Sequence, residues 1–249
     1  MIAVSFGGGV NSTGMVCEMV RLGEPIDLII FADTGGERPD TYEHIDAFSA
    51  WLKERGYPCI TKIGPEPCAV FDTTATTLEE ECLMRRALPS LAYGFRSCSV
   101  KWKLTPIRKF IKAIGQPVVM CIAFDAGERH RAERGNEHSE SYTKRYPLIE
   151  WGWGRDECMR AIRATGLKVP GKSSCFFCPS TRIPEIFALR CRYPDLFERA
   201  LAMERNAELS FVKGLGRNFS WSRIDEADRA QLSMFPPEIP CGCVDGDEE

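Results

Sequence analysis

An α/β protein with a parallel sheet is the fold class the sequence predicts, on three observations. Short apolar runs alternate with stretches of helical periodicity along the first half of the chain, as in strand–helix–strand units that pack helices on both sheet faces. Three consecutive glycines, Gly7, Gly8 and Gly9, follow the first run directly. A parallel sheet binds ligands beyond the C-terminal ends of its strands, which is where these glycines fall. The longest apolar run, Ile26 to Ala32, is broken by Asp27 and is far too short to span a bilayer.

In order, Ile2 to Phe6 reads as a short buried strand. Thr13 to Leu22 puts Met15, Val16, Met19 and Val20 on one face and stops at Gly23, a helix. Ile26 to Ala32 is a second strand, ending at Asp33-Thr34-Gly35-Gly36. Pro39 starts a helix faced by Tyr42, Ile45 and Leu52 and stopped by Gly56. Cys59 to Ile63 and the strongly apolar Pro117 to Phe124 are further strands. Thr77 to Leu88, Thr105 to Ile114 and Asp156 to Thr165 read as helices, and Pro184 to Glu208 as one or two, broken at Pro194. The chain from Phe235 shows no periodicity. These elements suggest a core over residues 1–155 and a smaller cysteine-bearing helical part over residues 156–249.

Of the 249 residues 44% are hydrophobic and 27% charged, with a net charge of -3. That balance fits a globular chain with a sizeable core and gives no global pull toward nucleic acid or membrane. With a strand predicted from residue 2, no signal peptide is expected and the location is read as cytoplasmic. Twelve cysteines are many for a reducing compartment, and clustered ones there point to metal or redox chemistry. Cys17, Cys59, Cys82, Cys121 and Cys158 sit among apolar residues and read as small core hydrophobes.

Glycine loses more backbone freedom on folding than any other residue, so three in a row need a purpose. A glycine loop entering a helix lets backbone N–H groups approach an anion, and Ser12 and Thr13 add hydroxyls. The natural guest is a phosphate or pyrophosphate. No lysine follows the glycines, so this is not a Walker loop. Gly8→Val is expected to abolish nucleotide binding, by filling the phosphate's space and opposing positive φ.

Gly7-Gly8-Gly9-Val10-Asn11-Ser12-Thr13 resembles the Ser-Gly-Gly-x-Asp-Ser-Thr loop of the PP-loop (adenine nucleotide α-hydrolase-like) superfamily, which grips the pyrophosphate of ATP on a HUP-like, Rossmann-like core. Gly7 stands in place of the first serine and Asn11 in place of the aspartate. An amide brings no carboxylate charge for the Mg2+ ion that assists pyrophosphate release. Asp33-Thr34-Gly35 with Pro39, Thr41 and Tyr42 resembles a stretch of the phosphoadenosine-phosphosulfate (PAPS) reductase branch that faces the adenosine. Phe124-Asp125-Ala126-Gly127-Glu128-Arg129-His130-Arg131 resembles that branch's loop for substrate phosphates or sulfate, making Arg129, Arg131 and Arg134 anion-clamp candidates. The resemblance implies nucleotide contacts from Ser5, Gly7, Gly8, Gly9, Asn11, Ser12, Thr13, Asp33, Thr34 and Arg129, and a catalytic role for Arg131.

Cys175-Phe176-Phe177-Cys178 is a CxxC, a spacing that suits one metal or a redox dithiol. Cys98, in Cys98-Ser99-Val100-Lys101-Trp102-Lys103-Leu104-Thr105-Pro106, resembles the Cys-Cys-x-x-Arg-Lys-x-x-Pro stretch of the iron–sulfur sulfonucleotide reductases, with Ser99 for the second cysteine. The resemblance implies Cys98, Cys175 and Cys178 as ligands of a [4Fe-4S] cluster with one iron open. The alternative is zinc, completed by Cys191 or by Cys241 and Cys243. Cys241-Gly242 resembles the C-terminal Cys-Gly tail that carries the PAPS reductase nucleophile, although Asp245, Asp247, Glu248 and Glu249 would raise that thiol's pKa and slow its attack.

The resemblance implies an ATP- or adenylyl-nucleotide-dependent enzyme. It would adenylate an acceptor, either a nucleobase in tRNA or DNA or a small metabolite, and sulfur would then displace AMP. A sulfur donor or thiol reductant is the implied partner. Two alternatives stand: a thiol-dependent PAPS or adenylylsulfate reductase with Cys241 as nucleophile, and a nucleotide-binding partner subunit without catalysis. Lys101, Lys103, Arg108, Lys109 and Lys112 make one segment basic, a candidate hold on a nucleic-acid acceptor. Nothing in the sequence fixes an oligomeric state.

Overall fold

Alternating strand residues feed two cores, one on each face of a single sheet. The computed structural model describes residues 1–64, 74–134, 141–209 and 211–232. Strands β1 (Ile2–Ser5), β2 (Leu28–Ala32), β3 (Ile60–Ile63), β4 (Val119–Ile122) and β5 (Thr143–Arg145) pair in parallel, in the order β3-β2-β1-β4-β5. Val4 lies opposite Ile29 on one side and Cys121 on the other. The order reverses direction at β1, so the crevice between the exits of β1 and β4 is the topological switch point.

One face buries Val4, Phe6, Ile29, Phe31 and Cys121 against α1 (Val10–Arg21), α2 (Pro39–Lys53) and α8 (Arg155–Ala164). The other buries Ala3, Ile30 and Met120 against Ile107 and Ile111 of α5 (Thr105–Ile114). Helix α1 starts at Val10, three residues earlier than its apolar face suggests, so it follows the glycines directly. Gly14 brings α1 against α8: a Cβ there would lie 2.5 Å from the Cβ of Cys158. Cys158 and Ile162 of α8 belong to the same core as β1.

The remaining helices are α3 (Leu78–Met84), α4 (Ser97–Ser99), α6 (Arg129–Arg134), α7 (Pro147–Glu150), α9 (Ile183–Arg192), α10 (Pro194–Asn206) and α11 (Trp221–Leu232). A further apolar core joins residues from α3 and Trp102 to Phe176, Phe177 and helices α9, α10 and α11. Its polar pin is Glu204, whose carboxylate accepts from Leu215 N at 2.7 Å, Ser220 Oγ at 2.6 Å, and Trp221 N and Ser222 N at 2.9 Å each. Burial would raise this acid, but those donors outweigh it and hold its pKa below the ordinary carboxylate value. Between α4 and α5 the chain makes a π-helical turn over Val100–Leu104, a rare geometry that recurs at functional sites. No helix among the described residues is long and apolar enough to cross a membrane. Cys17, Cys82, Cys121 and Cys158 are buried as expected, whereas Cys59, just before β3, is exposed.

Candidate functional site

The switch point opens into a cleft of about 510 Å3. Ser5, Gly7, Gly9, Asn11 and Ser12 form its floor, Ile122 to Phe124 one wall and Gly171 to Ser173 another. The loop is braced from within: Gly7 N donates to Ser12 Oγ at 3.3 Å, and Ser12 Oγ donates to Gly9 O at 3.1 Å. Gly9 caps α1 with no side-chain hydrogen bond, and no acidic residue stands in its first turn. The first N–H groups of a helix have no acceptor within it, and the dipole adds positive charge, so an anion is favoured at this end.

Three cations ring the cleft: Arg131, Arg155 and Lys172. Arg131 pairs with Glu128 and lies over the Phe124 ring at 4.3 Å, and that ring stacks on Tyr146. Arg155 opens α8, held in place by the Gly14 contact. Lys172 Nζ is tied to Glu185 Oε2 at 2.7 Å and Ser180 O at 3.3 Å. A carboxylate from the exit of β4, Asp125, stands beside Asn11. Asn11 Nδ2 donates to Asp125 Oδ2 at 3.0 Å, and Gly127 N donates to Asp125 Oδ1 at 3.0 Å. Asn11 Oδ1 is buried without a hydrogen-bond partner among the described residues. The amide nitrogen of Asn11, not its oxygen, faces the Asp125 carboxylate, both of whose oxygens accept hydrogen bonds.

Several expected residues stand elsewhere. Gly8 has φ +72° and faces α2, where a Cβ would meet Thr41 Cγ2 at 3.0 Å and Ile45 at 3.6 Å. Its constraint is therefore backbone and packing, not room for phosphate. Thr13 is fully buried and its Oγ1 bonds His44 Nε2 at 2.9 Å, away from the cleft. Burial holds the His44 pKa below its ordinary value. Asp33 Oδ1 accepts from Gly35 N and Tyr42 Oη, each at 2.8 Å. Arg129 is exposed and outside the cleft lining. Arg155, Lys172 and Ser173 were not anticipated. The Gly171-Lys172-Ser173 triplet carried a signal, since that is how a phosphate loop ends.

Thr34 turns the other way, into the thiols: its Oγ1 lies 3.1 Å from Cys175 Sγ. The segment after β2 is stitched to the CxxC by a bridge between Glu37 and Cys175 and by Phe176 N donating to Gly36 O at 2.8 Å. Cys98 N donates to Ser90 Oγ at 2.8 Å, and Cys178 Sγ lies 3.1 Å from Ser180 Oγ. Cys175 keeps part of its surface exposed as a residue. Around its sulfur, however, burial and the nearby Glu37 push the thiol up to about 12 against the pull of Lys103. Lys103 pairs with Glu37 at 3.0 Å, and although burial opposes its charge, Glu37 and Cys175 raise its pKa. Lys101 pairs with Glu81, so two lysines of the basic segment are turned onto acids.

A Cys175 thiol whose thiolate is disfavoured suits a soft cation that would supply the missing charge. Among the described residues no three His, Cys, Asp or Glu side chains are grouped closely enough to hold one metal ion. Cys98 and Cys175 pack against one apolar core, and Cys178 N donates to Cys175 O at 3.0 Å within the CxxC turn. Cys191, a candidate zinc ligand, is exposed on α9. Cys241 and Cys243 lie outside the described residues.

Cleft and thiols are close in the chain. Ser173 would touch a Cβ at Gly9 at 2.8 Å, and Cys175 follows two residues on, within about 7 Å of backbone.

No protein-family model matches the chain, and no curated protein sequence matches it. Among solved structures it is similar to the U34-tRNA thiolase NcsA from Methanococcus maripaludis with its [4Fe-4S] cluster, at 17% identity over 82% of this chain and 71% of that one, with a TM-score of 0.47. So distant a likeness does not reach to substrate or mechanism.

Proposed function

We propose that the chain is a PP-loop enzyme of PAPS-reductase-like type that binds ATP or another adenylyl nucleotide and uses it for sulfur transfer. The observation that carries this reading is the cleft: an uncapped helix N-terminus behind a glycine loop, ringed by Arg131, Arg155 and Lys172 at the sheet's switch point. Planar guanidinium groups grip phosphate oxygens through paired donors, and a dipole end adds to the same field.

The pyrophosphate end of ATP would lie on Gly7 and Gly9, and Asp125, at the exit of β4 beside Asn11, is the carboxylate that would hold Mg2+. An acceptor oxygen would attack the α-phosphorus. The new P–O bond forms as the bond to pyrophosphate breaks, and pyrophosphate leaves with the electron pair. Arg131 and Arg155 would stabilise the charge gathering on that leaving group. Sulfide from the sulfur donor would then form the C–S bond while the C–O bond breaks and AMP departs with the electron pair. Cys98, Cys175 and Cys178 would hold a [4Fe-4S] cluster, which when bound supplies a site for sulfur. The acceptor class is a nucleobase or a small oxygen-bearing metabolite.

The reductase alternative rests on the Cys241-Gly242 tail. Anaerobic incubation with PAPS and a thiol donor, beside ATP with candidate acceptors including bulk tRNA, separates the readings. Pyrophosphate released from ATP in an acceptor-dependent way, with no sulfite from PAPS, is the expected result. Sulfite from PAPS would replace this reading with the reductase. Tight ATP binding with no turnover on any acceptor would mark a non-catalytic partner.

A further inference from the structure

Phe124 leaves β4 through a tight turn, its N–H donating to Ile122 O at 3.0 Å, and it lines the cleft. Tyr146 follows β5 directly. Strands β4 and β5 pair in parallel, with Cys121 opposite Arg145, so the two aromatic residues leave neighbouring strands side by side. Their rings stack, with centroids 5.7 Å apart and planes 11° from parallel. The guanidinium of Arg131, on α6, stands over the Phe124 ring with Cζ 4.3 Å from its centroid. Phe124 is therefore engaged within the protein by a ring and a cation before any ligand arrives. Arg131 has a second partner in Glu128, three residues back and also on the cleft wall. The two partners make different demands on it. A carboxylate takes the N–H donors at the guanidinium edge, the same donors that a phosphate would use. A ring meets the flat face and leaves those edge donors to other acceptors.

We propose that Phe124, backed by Tyr146, is a positioning residue that holds Arg131 for the phosphate groups of the ligand and is not a platform for its base. This rests on the reading of the cleft as a phosphate site and deepens it. The Arg131 side chain is 39% exposed, and a long side chain loses much rotamer freedom when it is fixed. Pinning its flat face in advance lowers the ordering that a phosphate must impose on binding. A base stacked on Phe124 would have to displace Arg131 or Tyr146 and so would exchange one ring contact for another. Phe124 should therefore matter equally to a ligand with a base and to a polyphosphate without one.

The test is calorimetric titration of the full-length chain with ATP and with inorganic tripolyphosphate, magnesium present, and thermal melting as the folding check. Phe124→Leu and Phe124→Met keep apolar volume without a ring. Each should weaken both ligands by the same factor, about three- to tenfold. Phe124→Tyr, which restores a ring, should bind both like the wild type. In an Arg131→Ala background, Phe124→Leu should cost nothing further for either ligand. Loss of ATP affinity with tripolyphosphate unchanged would make Phe124 a base platform and overturn the proposal. A loss that persists undiminished in the Arg131→Ala background would overturn it too, by showing a role that does not pass through Arg131. If Arg131→Ala alone binds both ligands like the wild type, the reading of Arg131 as a phosphate holder fails, and the positioning role fails with it.

Discussion

Asn11 gives the glycine loop an amide whose Nδ2 donates to Asp125 Oδ2 at 3.0 Å, so a carboxylate from the exit of β4 stands beside the loop. Asp125→Asn should leave nucleotide affinity in EDTA unchanged and remove most of the gain that magnesium gives, about tenfold or ~1.4 kcal/mol, as read by calorimetry. The arginines divide by position. Arg131→Ala should weaken ATP binding by about 10- to 100-fold, the worth of a charge-assisted hydrogen bond at ~1.5–3 kcal/mol. Arg129→Ala, outside the cleft, should bind like the wild type. Gly7 and Gly8 separate in the same way. A Cβ at Gly7 meets nothing nearer than Ser12 Oγ at 3.9 Å, while one at Gly8 meets α2 at a backbone φ of +72°. Gly7→Ser should melt near the wild type, whereas Gly8→Val should lose about 1–3 kcal/mol of stability before any effect on nucleotide. At this scale the sequence makes Gly7, Gly9, Asn11, Ser12 and Arg131 legible, because they follow strands directly. Arg155 is not, since tertiary packing alone carries it to the cleft, and Lys172 is legible only through its Gly-Lys-Ser triplet.

Helix α9 shows how an element can hold a site together. Glu185, in its first turn, accepts from Arg182 N at 2.8 Å and from Lys172 Nζ at 2.7 Å. Burial alone would raise this acid, but the Arg182 amide and the Lys172 ammonium outweigh it and bring its pKa from the ordinary 4.5 to about 2. A depressed acid stabilises the fold above its unfolded pKa, and that stability is lost as pH falls through the folded value. The loss should run from pH 4.5 down to about 2. Glu185→Gln should therefore be less stable at neutral pH, and its acid unfolding should be flatter across that window, by denaturant melts at stepped pH. Lys172 should also lose its anchor, so nucleotide affinity should drop in parallel. The elements that sequence reading missed are the polar ones. Strand β5 is Thr143-Lys144-Arg145 at the sheet edge, and α11 presents few apolar residues, so neither has the hydrophobic period that betrays a buried element.

Across the whole molecule, apolar runs suffice to predict a parallel sheet, since three of its five strands are apolar and largely buried and β3 has an isoleucine at each end. The further core was not legible. It draws Leu78, Cys82 and Trp102 from the middle of the chain onto Phe176, Phe197 and Trp221, contacts that no local pattern encodes. Cys98 and Cys175 pack against that core, while Ser173, against Gly9 of the glycine loop, stands two residues before Cys175. The central claim is that one chain joins a nucleotide cleft to a cluster-bearing thiol centre. Its most direct test is the visible absorbance of the full chain purified without oxygen, with iron, sulfide and zinc counted on the same sample. Broad sulfide-to-iron absorbance with iron and sulfide near four each per chain is the predicted result. Zinc without iron, or no metal at all, would contradict it and leave the cleft as the chain's one site of chemistry.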